Sequence, residues 1–167
     1  MINLGLMELA FDSRLSAVDA LHEATGIYTA TQVVEGLLDR VGWPKAGATL
    51  LDPSCGDGSF LLSALARLDL PPGAFGEALR VRGWEIHSGA VAEARGRIVD
   101  HLADRGWSKA DAKRSAQSMV VEADFLIDGP TEKFDFIAGN PPYLRFARLP
   151  DYFKAAYADV INKHAIG

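Results

Sequence analysis

The spacing of apolar residues changes several times along the chain, and each change predicts an element. Over residues 13–24, Leu15, Val18 and Leu21 recur at helical spacing, with Ser13 as the expected N-cap and Gly26 as the stop. Val33, Val34, Leu37, Leu38 and Val41 share one face of a second helix, whose expected cap is Thr29 or Thr31. A polar turn containing Trp43-Pro44 then leads into Ala48-Thr49-Leu50-Leu51, a short buried strand, and Leu61, Leu62, Leu65 and Leu68 mark the helix after it. Pro71-Pro72-Gly73 interrupts the pattern as a loop or short helical excursion before a second strand over residues 79–86. Val91, Ala94, Ile98 and Leu102 form the buried stripe of a helix from 88 to about 105, and Ser108 with Asp111 three residues on opens a short helix to 117. Residues 118–123 and 134–138 read as third and fourth strands, and Tyr152, Phe153, Ala156, Tyr157, Val160 and Ile161 as an amphipathic tail helix. Strands alternating with helices predict an α/β fold with a mostly parallel sheet.

In open sheets of this kind ligands bind at the carboxyl ends of the strands, and that is where the chemically specific residues fall. The first strand runs into Asp52-Pro53-Ser54-Cys55-Gly56-Asp57-Gly58-Ser59-Phe60, a glycine-bearing turn that opens a helix. It lacks the G-x-G-x-x-G spacing and carries no lysine, which disfavours pyrophosphate binding and a P-loop. Gly56 and Gly58 allow close backbone approach, and Asp52 supplies a carboxylate, a combination suited to a ligand with an ammonium and no phosphate. Cys55, flanked by acids that raise a thiol pKa, reads as a small packing residue. Glu85 ends the second strand, placed to take both hydroxyls of a ribose, and Ile86 beside it offers an apolar surface to a base. Asp124 ends the third strand and can accept from an adenine amine, while Phe125 can cover the ring. His87 and His101 lack a metal-ligand spacing, and no metal site is expected.

The fourth strand delivers Asn140-Pro141-Pro142-Tyr143. The two prolines fix φ, remove two donors and disfavour helix in the preceding residue, so the chain leaves the sheet rigidly. The Asn140 amide oxygen, the Pro141 carbonyl and the Tyr143 ring suit a planar group carrying an exocyclic amine: a nucleobase, or any planar amide.

Length and charge narrow the setting. With 167 residues, 49% of them hydrophobic, the chain has enough apolar material for one core. A single cysteine excludes a disulfide framework, and with no basic leader or long apolar run the expectation is a soluble cytoplasmic protein with no membrane segment. A net charge of −5 excludes a uniformly basic nucleic-acid clamp. Arg145, Arg148, Lys154 and Lys163, set against Asp151 and Asp159, form a local basic excess that reads either as a phosphate contact or as a solvated helix face.

Together, the 52–60 turn, Glu85, Asp124-Phe125 and Asn140-Pro141-Pro142-Tyr143 resemble the S-adenosylmethionine-dependent DNA methyltransferases that modify the exocyclic N6 amine of adenine. Gly26-Ile27-Tyr28-Thr29 is similar to the amino-terminal cofactor motif of the subgroup in which cofactor motifs precede the catalytic one, with Ala30 where that family usually has proline. The resemblance covers residues 26–143. It implies a Rossmann-like, three-layer class I methyltransferase fold, incomplete at its carboxyl-terminal part, with residues 1–25 a helical extension, 26–167 the first part of the catalytic domain, and the target-recognition domain absent. It further implies that Tyr28 and Thr29 meet the methionine portion of the cofactor, Asp52 its ammonium, and the Ser54, Gly56, Gly58 and Phe60 turn its close approach. Glu85 would hold the ribose, Ile86 and Phe125 the two faces of the cofactor adenine, and Asp124 its amine. Asn140 and Pro141 would orient the target amine of an adenine flipped out of double-stranded DNA, with Pro142, Tyr143 and Phe146 lining its place. A missing carboxyl-terminal region or partner chain would supply target recognition, in a restriction-modification setting. Rival readings are methylation of a protein glutamine amide or an RNA base, and a non-catalytic cofactor-binding module.

Overall fold

The computed structural model describes residues 4–26 and 29–164, with the side chains of residues 4–10, 159, 163 and 164 outside the description. Its elements are α1 (Leu4–Thr25), α2 (Thr31–Val41), β1 (Leu50–Asp52), α3 (Ser59–Ala66), α4 (Phe75–Ala78), β2 (Val81–Glu85), α5 (Ser88–Ala103), α6 (Lys109–Met119), β3 (Val120–Glu122), α7 (Phe125–Asp128), β4 (Phe136–Ile137) and α8 (Asp151–His164), with a 3-10 turn at Phe146–Arg148. They gather into two compact units, Tyr28–Pro141 and the pair Met1–Ile27 with Pro142–Gly167.

In the larger unit the four strands are all parallel, in the order β3-β2-β1-β4. β1 is paired on both sides, Leu50 lying opposite Val81 of β2 and Phe136 of β4. The order has a direct consequence for helix placement. From β1 to β2 to β3 the chain steps steadily one way, so right-handed crossovers put α3, α5 and α6 on the same face of the sheet. The step from β3 back across to β4 runs the other way, and its short α7 belongs to the opposite face. The reversal falls between β1 and β4, which makes the crevice outside their carboxyl ends the topological switch point where α/β sheets bind ligands.

The core follows from strand alternation. Leu50, Val81 and Val120 point into the helical layer and are fully buried among Leu61 and Leu65 of α3, Val91, Ile98 and Leu102 of α5, and Ala112, Ala116 and Met119 of α6. On the opposite face Trp84, itself buried, meets Phe125 and Phe134 edge-on, at 6.4 and 6.5 Å between ring centroids, under the guanidinium of Arg82. The α5 stripe of Val91, Ala94, Ile98 and Leu102 is buried throughout, and Ser108 caps α6 by accepting the Asp111 N–H. In the smaller unit α1 and α8 pack together. Ala17 and Val18 of α1 are buried, as are Phe153 and Tyr157 of α8, whose rings stack at 5.4 Å.

Three local expectations are corrected. The first helix begins at Leu4, so Ser13 lies inside it and caps nothing. Leu15 is exposed there, because three-residue steps of about 100° per residue drift around the helix and cannot share one stripe. α2 buries only Val34 and Leu38, leaving Val33, Leu37 and Val41 exposed. Its cap position is held by Ala30, with no side-chain cap bond: the helix starts too late for Thr29 to cap it and too early for Thr31.

Candidate functional site

The turn after β1 is shaped by its own acids. Asp52 ends the strand 1% exposed, and its Oδ1 accepts the Ser54 N–H at 3.0 Å. Among the described residues no donor reaches Oδ2. Burial, with a smaller contribution from the Glu85 carboxylate, pushes the Asp52 carboxyl up to about 7 against the opposing Ser54 hydrogen bond. The Ser54 hydroxyl beside it is buried and lacks a hydrogen-bond partner among the described residues.

Gly56 and Gly58 both adopt positive φ, at 52° and 81°, but for different reasons. A Cβ on Gly56 would meet nothing within 4 Å, so that side of the turn is open to approach. One on Gly58 would press on Ala94 of α5, 3.0 Å from its Cβ, so this glycine also lets the helix pack against the turn. Asp57 accepts from the N–H and hydroxyl of Ser59, and Arg97 of α5 pairs with its carboxylate while donating to its carbonyl at 3.0 Å. Phe60, the last residue of the motif, is buried in the core beneath the turn.

Glu85 reaches the turn from the next strand. Its Oε2 accepts the Gly56 N–H at 2.9 Å and its Oε1 the His87 N–H at 2.8 Å, while the Cys55 N–H donates to the Trp84 carbonyl. Each carboxylate oxygen keeps acceptor capacity beyond these bonds. Cys55 is buried, and its thiol is pushed well above the usual range, first by burial and then by Asp52 and Glu85, which fits a packing role. Ile86 follows, half-buried. Asp124 sits at the end of β3 as the N-cap of α7, accepting the Leu126 N–H at 3.0 Å, and half-buried Phe125 has its ring edge-on to Trp84.

The carboxylates of Asp52, Glu85 and Asp124 thus stand at the ends of three adjacent strands, and Asn140 follows the fourth, half-buried. Between Asp52 and Asn140 lies Gly139, where a Cβ would come 2.2 Å from Asp52 Oδ1. Thr29 is half-buried; Tyr28 lies outside the described residues. In the smaller unit Pro142 is exposed, and Tyr143 and Phe146 are 76% and 52% exposed. Arg145 and Arg148 are exposed there, and Lys154 pairs with Asp151. An open depression of about 460 Å³ lies elsewhere: Thr49, Leu79 and Ser118, which precede three of the strands, place it at the amino-terminal end of the sheet, away from these residues.

Sequence reasoning passed over three participants. His87 caps α5 by accepting the Ala90 N–H at Nδ1, and its place just before an apolar-striped helix was the available signal. Arg97 is a buried-stripe neighbour with no motif to mark it. Gly139 falls just past the fourth strand and carries no apolar signal, although a glycine between an apolar run and Asn-Pro-Pro points to a close approach.

Comparison with known proteins places the chain among methyltransferases. It is 36% identical over 148 residues to the Type II methyltransferase M.XhoI of Xanthomonas vasicola, a match covering 81% of this chain and 27% of that protein. It is 31% identical over 163 residues to the Type II methyltransferase M.PaeR7I of Pseudomonas aeruginosa, covering 89% and 28% respectively. A ribosomal RNA large subunit methyltransferase K/L of Shewanella baltica is 32% identical over 130 residues, 64% of this chain and 18% of that protein. The chain therefore spans about a quarter of the length of these Type II relatives. No family model matches it.

Proposed function

We propose, from the premise that this chain belongs to the Type II methyltransferase family, that it carries the cofactor site and catalytic loop of an enzyme methylating the N6 amine of adenine in DNA, in a restriction-modification system. The observation that carries this reading is the alignment of Asp52, Glu85 and Asp124 at the carboxyl ends of adjacent parallel strands, with Asn140 across the switch point from Asp52.

The residues fit S-adenosylmethionine. A buried carboxylate with one oxygen that no donor reaches among the described residues, and a Ser54 hydroxyl without a partner among them, suit an ammonium-bearing amino acid end, and the open side of Gly56 admits a ligand to the backbone. Glu85 holds the ribose hydroxyls with its remaining lone pairs, Ile86 and Phe125 cover the adenine, and Asp124 accepts from its amine. Tyr28 and Thr29, ahead of the uncapped start of α2, serve the methionine carboxylate. When bound, the cofactor supplies an electrophilic methyl group on a sulfonium.

The chain's own contribution to the transfer is orientation. The target amine is a weak nucleophile because its lone pair is delocalised into the ring. The Asn140 amide oxygen and the Pro141 carbonyl accept hydrogen bonds from its two N–H groups, which favours the pyramidal form and localises the lone pair. Tyr143, three residues further on, offers a face that returns about 1 to 3 kcal/mol of the cost of unstacking the base.

Labelled methyl transfer from S-adenosylmethionine to duplex DNA, by a polypeptide of the relatives' length containing this chain, with the product identified as N6-methyladenine, tests the reading. The similarity to a ribosomal RNA methyltransferase favours an RNA base as the second candidate, and structured RNA in the same assay separates the two.

A further inference from the structure

We propose that Gly139 is a positioning residue that seats the Asp52 carboxyl group against the backbone leading to Asn140; this rests on the cofactor role given to Asp52 above. The Ala138 N–H donates to the Leu51 carbonyl at 2.9 Å, carrying the β1–β4 pairing one residue past β4 and bringing Gly139 beside the end of β1. A side chain on Gly139 would occupy the same space as the Asp52 carboxyl: its Cβ would lie 2.2 Å from Oδ1, 2.8 Å from Cγ and 3.2 Å from Oδ2. Gly139 is not among the glycines at positive φ, so no left-handed backbone demands glycine here, and the three atoms nearest to an added methyl all belong to Asp52.

Asp52 has no room to yield. It is 1% exposed, its Oδ1 is held by the Ser54 N–H, and on the other side of β1 its register partner is Gly83, itself so closely packed that a Cβ there would strike Leu61 Cδ1 at 2.7 Å and Cys55 Cβ and Sγ at 2.8 Å. Glycine thus flanks Asp52 on both neighbouring segments, but for different reasons: Gly83, within β2, makes room for Leu61 and Cys55, and Gly139, just beyond β4, makes room for Asp52. Because Asn140 is bonded to Gly139, the carboxyl proposed for the cofactor and the amide proposed for the substrate are referenced to one backbone segment across the switch point.

A double-mutant cycle on this chain tests the contact. Gly139→Ala and Asp52→Ala are each expected to weaken S-adenosylmethionine binding at least about tenfold. In the Asp52→Ala background the same glycine change should alter affinity less than about twofold and restore the melting temperature that Gly139→Ala alone loses. Asp52→Asn, which keeps the bulk, should give no such rescue. In carbon- and nitrogen-labelled wild type, the Gly139 amide resonance should follow the Asp52 carboxyl titration. Additive effects of the two changes, rescue by Asn, or failure of Gly139→Ala/Asp52→Ala to fold where Asp52→Ala folds would overturn the proposal. Absence of cofactor binding by wild type would instead remove the cofactor reading, while the cycle in melting temperature would still decide the contact.

Discussion

The Oε2 of Glu85 accepts the backbone N–H of Gly56 at 2.9 Å, although 29 positions separate the two residues. The carboxylate proposed for the ribose is thus also the anchor of the turn proposed for the amino acid end. Charge-assisted bonds of this type contribute about 1.5 to 3 kcal/mol each. Glu85→Ala is therefore expected to lower S-adenosylmethionine affinity by at least about tenfold and to lower the melting temperature as well. Calorimetric titration and thermal denaturation check the two effects separately, and an unchanged isotherm would discredit the ribose assignment.

Asp52 gives a pH prediction of definite sign. Its folded-state carboxyl titrates at about 7, above the value of about 3.9 in an unfolded chain. Between those values the folded state holds a proton that the unfolded state has lost, so this group's contribution to stability falls as pH rises from about 4 to about 7 and is flat above. Asp52→Asn should thus be more stabilising at pH 8 than at pH 4, by an amount on the order of a few kcal/mol. Glu85, Cys55 and Asp57 surround the same turn, so urea denaturation of both proteins across this range is the appropriate comparison.

The same proton predicts a linkage to the ligand. If Asp52 meets an ammonium as a carboxylate, binding of S-adenosylmethionine at pH 6 releases close to one proton, and at pH 8 almost none. Titrations in buffers of different ionisation enthalpy measure this directly. Equal proton release at both values would place the ammonium elsewhere.

Gly56 and Gly58 should separate under substitution by alanine. Both changes impose the cost of a left-handed residue, about 1 to 2 kcal/mol. Gly58→Ala adds a clash with Ala94, while Gly56→Ala places a methyl in open space. The larger loss of melting temperature is expected for Gly58→Ala, and the larger loss of cofactor affinity relative to stability for Gly56→Ala.

Asn140→Ala is expected to leave cofactor affinity within about twofold and to lower methyl transfer by roughly a hundredfold or more, the loss typical of removing one preorganised polar contact. Measurement in a polypeptide of the relatives' length, with binding and single-turnover rates read on the same preparation, checks both. Undiminished transfer would end the catalytic assignment.

The periodic pattern of apolar residues by itself determined the four strands and most of the helices, because a period of two or of 3.6 follows from backbone geometry alone. It also put Asp52, Glu85, Asp124 and Asn140 at strand ends, since position along a strand is a local property. Strand order is not local. Only the tertiary structure decided that β1 lies between β2 and β4, and therefore that Asp52 faces Gly139 while Glu85 closes on Gly56. Capping was decided there too: His87 and Ala30 hold positions fixed by where packing lets each helix begin, which outweighs the preferences of Thr29 and Ser13. Burial completes the difference. A carboxyl that is ordinary in the sequence becomes a group titrating near neutrality once surrounding strands exclude water from it, and no residue order announces that.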